Sequence, residues 1–281
     1  MKRLNPLNDY LFLKMMGEKG NEKQCLAFLN AVLRAKGIRA AKLIKILENK
    51  TFTAEVIGEK TSILDVRVVT DTGEMINIEV QLRDYKNMEK RTLLHWGREY
   101  ARSLSQGGDY AELARVITIN IVNFDMINLD DFHTCFHLWE DSNKSYLLTD
   151  VMEIHFLNMV KFRKLKVKDV KNNPLVRWMT FFDIKTPPEK LEEVISMDKA
   201  ISKANEVIEF VSQDKELLRL YQMRDLAVSD WNSAVNAAKK EGKTEVAKNL
   251  LREGLATEVI HRATGLDVKT IESLKIKRRQ R

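Results

Sequence analysis

Cysteine is scarce. Cys25 and Cys135 are the only two in 281 residues, too few for a disulfide framework and wrongly spaced for a CxxC zinc ribbon. Long apolar runs are missing as well. Nothing approaches the ~20 residues of a membrane span, and the opening Met1-Lys2-Arg3-Leu4-Asn5-Pro6 leads into no signal-peptide core, so a soluble, cytoplasmic chain is expected. No GxxxxGK[ST] loop, no GxGxxG after a strand and no GxSxG elbow is present, which removes the support for nucleotide-driven and serine-hydrolase readings.

What is there is a chain 44% hydrophobic and 31% charged, enough to build a sizeable core under a heavily solvated surface. The length suggests a main domain with a smaller appended region. Formal net charge is +7, and Lys275, Lys277, Arg278, Arg279 and Arg281 cluster at the C-terminus. Such a tail favours a polyanionic partner, although basic tails also serve solubility alone.

Apolar spacing predicts a short helix over Tyr10–Met16, capped by Asn8 or Asp9, and an amphipathic one over Glu22–Lys36. A short strand is placed near Leu43–Leu47. Ser62–Arg83 alternates around Thr70-Asp71-Thr72-Gly73-Glu74, the pattern of a β-hairpin. Asn87–Gln106 reads as a helix ended by Gly107-Gly108, Arg115–Phe124 as a buried central strand, and Phe132–Glu140 and Val151–Phe156 as a further strand pair. An α/β domain should then close near Arg163. Beyond Pro174, Pro187 and Pro188, Leu191–Trp231 is expected to be all-helical and Ala234–Glu253 a charged helix interrupted by Gly242. Ala256–Leu274 carries two apolar periods divided by Thr264-Gly265-Leu266-Asp267, either a helix-turn-helix or an αα-hairpin used for packing. The expected division is thus 1–165, an α/β domain; 166–235, a helical region; and 236–281, a helical hairpin or helix-turn-helix-like tail with a basic end.

Side-chain parity in the hairpin carries the chemical argument, since residues two apart share a face. Leu64, Val66 and Val68 on one arm and Ile76, Ile78, Val80 and Leu82 on the other make an apolar face. The opposite face gathers Asp65, Arg67, Asn77, Glu79, Gln81 and Arg83. A hairpin centred on Thr72 sets Asp65 opposite Glu79. Two opposed carboxylates repel, at about 0.2–1 kcal/mol for a cross-strand pair, and a bound cation reverses that sign. Oxygen ligands from Asp65, Glu79 and the Val80 carbonyl suit Mg²⁺ or Mn²⁺ better than zinc, and phosphodiester hydrolysis is the reaction such a site favours. The competing reading is a solvated hairpin face with Arg67 and Arg83 as partners to the acids.

Asp65, followed fourteen residues later by Glu79-Val80-Gln81 on a hairpin before a helix, resembles the PD-(D/E)XK nuclease signature. More narrowly, Asn5-Pro6-Leu7-Asn8-Asp9-Tyr10-Leu11-Phe12, Ser62-Ile63-Leu64-Asp65-Val66, Ile78-Glu79-Val80-Gln81, Arg91 through Tyr100, and Gly108-Asp109-Tyr110 resemble the recombination-promoting nuclease and transposase family of that superfamily over residues 1 to about 165. The resemblance implies a restriction-endonuclease-like α/β core, a mixed sheet flanked by helices, with a helical C-terminal region. It implies Asp65 and Glu79 as metal ligands and Mg²⁺ as cofactor. Gln81 stands where the wider superfamily has lysine, so either Gln81 orients the attacking water or a lysine from elsewhere, such as Lys60, supplies the charge. Asp9 resembles the additional acidic position of many such nucleases, and is equally an N-cap.

Arg91, His95, Arg98 and Arg102 recur at helical spacing and form a basic stripe that could follow a phosphate backbone, or could be a solvated charged face beside Glu89 and Glu99. Tyr100 matches a family position in this helix and is a candidate DNA contact. His133, Cys135 and His137 alternate along one strand face, but without an evident fourth ligand a half-buried strand is the commoner outcome than zinc. The sequence therefore leads to a metal-dependent DNA endonuclease connected with recombination or mobile elements, acting on DNA, and a homodimer would supply the two sites that double-strand cleavage needs. The alternative is a non-catalytic DNA-binding or assembly protein that retains the fold.

Overall fold

The Ile- and Val-rich run at the middle of the chain sits at the middle of the sheet. In the computed structural model, which describes residues 3–47, 65–105 and 107–279, β4 (Val116–Val122) is buried along its whole length, as a strand covered on both faces must be. β3 (Met75–Gln81) and β6 (Leu147–Asn158) flank it in parallel. β2 (Val66–Thr70), β1 (Ile44–Ile46) and β5 (His133–Trp139) join antiparallel, giving the six-stranded order β1-β2-β3-β4-β6-β5.

One face of this mixed sheet is the main core. Ile76, Ile78, Val80, Ile117, Ile119 and Ile121 pack beneath α1 (Asp9–Met16), α2 (Glu22–Arg34) and α5 (Pro174–Phe182). Asn8 is the cap of α1, its side chain accepting from the Leu11 N–H. Phe12, Phe28, Trp178, Phe181 and Phe182 form an aromatic cluster with ring centroids 5.3–6.4 Å apart. The other face is covered by α3 (Met88–Arg102), which lies in the crossover between the parallel strands β3 and β4 and is anchored by Trp96, whose Nε1 donates to the Val116 carbonyl at 3.1 Å. A helical crossover is what two parallel neighbours require. α4 (Met159–Lys164) follows β6, with Asn158 capping it through bonds from Val160 and Lys161 N–H.

The helices after residue 165 differ from expectation in two ways. No break in packing falls near 165: Trp178, Phe181, Phe182, Val194, Ile201 and Ile208 share one core with the sheet, and the first compact unit runs over Met1–Asp225. α5, α6 (Pro188–Met197) and α7 (Lys199–Gln213) pack against α1, α2 and one another, extending the core outward from the sheet. Nor does Gly242 interrupt its helix, since α8 spans Lys215–Arg252 through it; one glycine costs only about 1 kcal/mol in a helix. The second unit, Leu226–Arg281, has a small core of Ala247, Leu251, Ile260, Leu266 and Ile271. Its hairpin joins α9 (Thr257–Thr264) to α10 (Val268–Arg279) through Gly265 at φ +67°. No helix among the described residues is long and apolar enough to cross a membrane.

Because the post-165 helices and the sheet share one core, Trp178→Ala should lower the stability of the first unit by about 3–5 kcal/mol. Denaturant unfolding followed by helical and by tertiary signals should shift as one transition; loss of the helical signal alone would contradict a shared core.

Candidate active site

The hairpin register decides which acids meet. Val66 pairs with Ile78 and Arg67 with Asn77, so one further step along the same register sets Asp65 opposite Glu79. The apolar parity also holds, with Val66, Val68 and Ile78 fully buried and Val80 nearly so. The polar face is not solvated, however. It lies under α3, and Asn77, Glu79 and Gln81 are only 2%, 2% and 8% exposed.

The basic stripe of α3 supplies the counter-charges beneath that roof. Arg91 donates to Glu79 Oε1 through Nε at 2.8 Å, with Nη2 at 2.6 Å from the same oxygen. His95 Nδ1 stands 3.0 Å from Oε2; this is a close polar contact rather than a directed hydrogen bond, because Oε2 has no well-formed partner among the described residues. Arg91 and His95 therefore face the acids, where the sequence had allowed either a DNA-facing or a solvated stripe. Burial pushes the Glu79 carboxyl up, but the His95 contact and the Arg91 charge outweigh it and hold the group below its ordinary range. Asp65 goes the other way, raised by burial and by the charge of Glu79.

Asp65, Asn77, His95, Arg98, Glu99 and Arg102 line a recess of about 100 Å³, room for a few waters or a hydrated ion. Glu99, 6% exposed, accepts from Arg67 at 2.6 Å and from Arg102 at 2.7 Å. Asn77 has no hydrogen-bond partner for either its amide nitrogen or its oxygen among the described residues. Two unpartnered polar atoms buried beside a recess are costly unless water or a ligand meets them. Together with two carboxylates, the Asn77 amide makes a hard oxygen donor set that fits a hydrated Mg²⁺ or Mn²⁺. Asp65 and Glu79 are the side chains that would hold such an ion. Val80, whose side chain is in the core, offers only its carbonyl.

The remaining sequence candidates are placed as follows. Gln81 shares the face of Glu79, and its Nε2 donates to the Arg83 carbonyl at 2.9 Å. Asp9 lies at the first turn of α1 and binds Arg224 through both carboxylate oxygens, at 2.8 and 2.9 Å from Nε. Lys60 lies outside the described residues. Arg98 and Arg102 are exposed at the recess, while Tyr100 stacks on Trp96 with ring centroids 4.9 Å apart. Sequence reasoning sets Asn77 on the polar hairpin face and Glu99 beside the basic stripe but assigns neither to the site. Both were legible by parity, Asn77 on the strand and Glu99 one turn after His95 on the helix, had α3 been known to pack on that face.

The two acids should respond oppositely to neutralisation. A folded-state value below the unfolded one means that Glu79 contributes stability above about pH 4.3, lost as pH falls through the lower folded value. Glu79→Gln should therefore be less stable than wild type at pH 7, and the gap should close in acid. Asp65, with a raised folded value, costs stability once pH rises past its unfolded value, so Asp65→Asn should raise the metal-free melting temperature at pH 7 by about 2–4 °C per kcal/mol relieved. Thermal scans from pH 3 to 8 check both signs; destabilisation by both substitutions at pH 7 would contradict the assignment.

The profile of PD-(D/E)XK nuclease family transposases matches residues 6–238, which takes in the whole sheet, Asp65, Glu79 and the roofing helix. No curated protein and no solved structure matches the chain. With most of its length covered, and with paired acids on a β-hairpin beneath a basic helix in a mixed sheet, this chain belongs to the PD-(D/E)XK nuclease family of transposases.

Proposed function

We propose that the protein is a divalent-metal-dependent endonuclease hydrolysing phosphodiester bonds of DNA, with Asp65 and Glu79 as metal-holding acids. The observation that carries this reading is the acid pair itself. Two carboxylates, Glu79 buried and Asp65 partly so, stand opposite each other on adjacent strands, close enough for the charge of Glu79 to raise the Asp65 carboxyl, and Asp65 lines a small recess together with an Asn77 amide that has no hydrogen-bond partner among the described residues.

When bound, Mg²⁺ would lower the pKa of a water and neutralise charge developing on the phosphate. The chain's own groups have separable tasks. Asp65 and Glu79 hold the cation in place. Arg98 and Arg102, exposed at the recess, offer guanidinium groups to the phosphates on either side of the bond to be cut. Arg91 and His95 keep Glu79 charged while the cation is away. Gln81, two residues beyond Glu79 on the same face, takes the lysine's position with a neutral amide, which can orient a water but cannot supply a positive charge; Arg91, held on Glu79, is a cation beside the acids that could supply it. The helical hairpin of the second unit lies beyond the family match, and the basic run at the end of its sequence is a further candidate for DNA phosphates.

A second reading, a DNA-binding or assembly protein without catalysis, is favoured by one observation: Arg91 already occupies the carboxylate oxygen that a cation would need. The same contact fits an active enzyme if Arg91 yields Glu79 when metal and substrate arrive together.

Supercoiled plasmid incubated with Mg²⁺, Mn²⁺ or EDTA separates the readings. Nicking should require the cation, and Asp65→Ala and Glu79→Ala should each lower it on the order of a hundredfold or more with retention of DNA in gel shift. Folded wild-type protein that binds the plasmid and never cuts it, with either metal, would establish the non-catalytic reading instead.

A further inference from the structure

Away from the acid pair, at the other end of the sheet and on its opposite face, four metal-capable side chains meet on neighbouring strands. Phe156 shares the α3 face with Glu79, through the pairings of Glu79 with Asn120 and Asn120 with Phe156. Glu153 and His155 have the opposite parity and lie on the other face. Across the antiparallel pair, Cys135 stands directly opposite His155, and His137 and Glu153 occupy the next positions of the same face. The donor atoms of Cys135, His137 and Glu153 all lie within 4.8 Å of one another. Around the group, Cys135 Sγ is 3.9 Å from His137 Nδ1 and 3.8 Å from His155 Nε2, His137 Nε2 is 3.6 Å from Glu153 Oε2, and His155 Nε2 touches Glu153 Oε1.

We infer that Cys135, His137, Glu153 and His155 form a second metal site, selective for zinc-like borderline divalent ions and independent of the nuclease centre. In a tetrahedron with bonds of 2.0–2.3 Å the ligand atoms are separated by about 3.3–3.8 Å; Cys135 and His155 already stand 3.8 Å apart, Cys135, His137 and Glu153 need a modest contraction from their present spacing with His137 presenting one ring nitrogen, and the close His155–Glu153 contact must open to admit the ion. One thiolate, two imidazoles and one carboxylate are a zinc set; Mg²⁺ takes oxygen. The outer support is also in place. His133 Nε2 lies 2.9 Å from His155 Nδ1, the second-nitrogen contact that orients a metal-bound histidine. Arg115 binds Glu153 and also Glu74, the latter at 3.0 Å. A divalent ion with one thiolate and one carboxylate is neutral, so the Arg115 charge meets no net positive charge. The thiol proton leaves to solvent on binding.

Two other roles for the group are weaker. A nucleophilic or redox cysteine needs an accessible thiolate at neutral pH, whereas burial and Glu153 push the Cys135 thiol up to about 12. A purely structural hydrogen-bond network explains Glu153 with Arg115 and His155 but not Cys135, whose contacts at 3.8 and 3.9 Å are weak as hydrogen bonds. A bound ion would join β5, an edge strand with a register shift beside His137, to β6.

The test uses the full-length chain, stripped with a chelator and titrated with Co²⁺ and Zn²⁺ in excess Mg²⁺, which occupies hard oxygen sites. One equivalent of Co²⁺ should bind with tetrahedral visible bands and a thiolate-to-metal charge-transfer band, and Zn²⁺ should displace it. Cys135→Ser should abolish the charge-transfer band. His137→Ala, at a partly exposed ligand, should weaken Zn²⁺ binding by more than the roughly tenfold to hundredfold that loss of an outer-shell partner costs, and Glu79→Gln should leave binding unchanged. Absence of stoichiometric Co²⁺ binding, or a charge-transfer band that survives Cys135→Ser, would overturn the site.

Discussion

A carboxylate taken out of water needs a counter-charge, and at Glu79 that need organises the region around it. The group is 2% exposed on the strand next to the sheet's centre. Stripping such an ion of its partner costs about 3–5 kcal/mol, so the chain must bring a cation to it. Arg91 and His95 do this from α3, one helical turn apart, and that requirement fixes the rotation of α3 about its own axis as well as its position over β3. Once α3 is so turned, Glu99 necessarily comes over Arg67, and Arg98 and Arg102 come to the recess. The site is therefore held by charge pairing between a strand and the helix that follows it, with the apolar packing of Met88 and Trp96 against Val122, Met152, Ile154 and Phe156 closing the far side.

The sheet divides the work between its faces. The face toward α1, α2 and α5 is apolar through β2, β3 and β4, and it supplies the rigidity on which a catalytic geometry depends. The α3 face carries the polar groups, and their mutual repulsion is tolerated because the opposite face is so well packed. Asp65 shows the tension most clearly: burial and Glu79 disfavour its charge, which a reactive centre would require. A site that is destabilising in isolation and sits on an over-determined scaffold is the usual physical signature of function rather than of structure.

Much of this was legible in the sequence because the hairpin's period is strict. Alternation from Val66 to Gln81 fixes register once the Thr72 turn is assigned, and register alone makes Asp65 and Glu79 neighbours. The unbroken Ile and Val run of β4 likewise has only one good place in a sheet. What could not be read was which face a neighbouring element covers. The stripe of Arg91, His95, Arg98 and Arg102 is compatible with solvent, DNA or an acid pair, and only the crossover geometry between parallel strands turns it inward. The same blindness hid Glu153 and His155, whose strand pairs with that of Cys135 in a register no local pattern displays, and it hid the continuity of the core past residue 165, where aromatic residues from distant segments meet.

The account stands or falls on whether Glu79 exchanges its arginine for a metal. Crystals of the protein soaked in Mn²⁺ and measured at a wavelength where manganese scatters anomalously would show this directly. The expected result is a peak within bonding distance of both Asp65 and Glu79, with Arg91 displaced from Oε1. Manganese absent from that recess at saturating concentration, with the Arg91 to Glu79 contact unchanged, would contradict it.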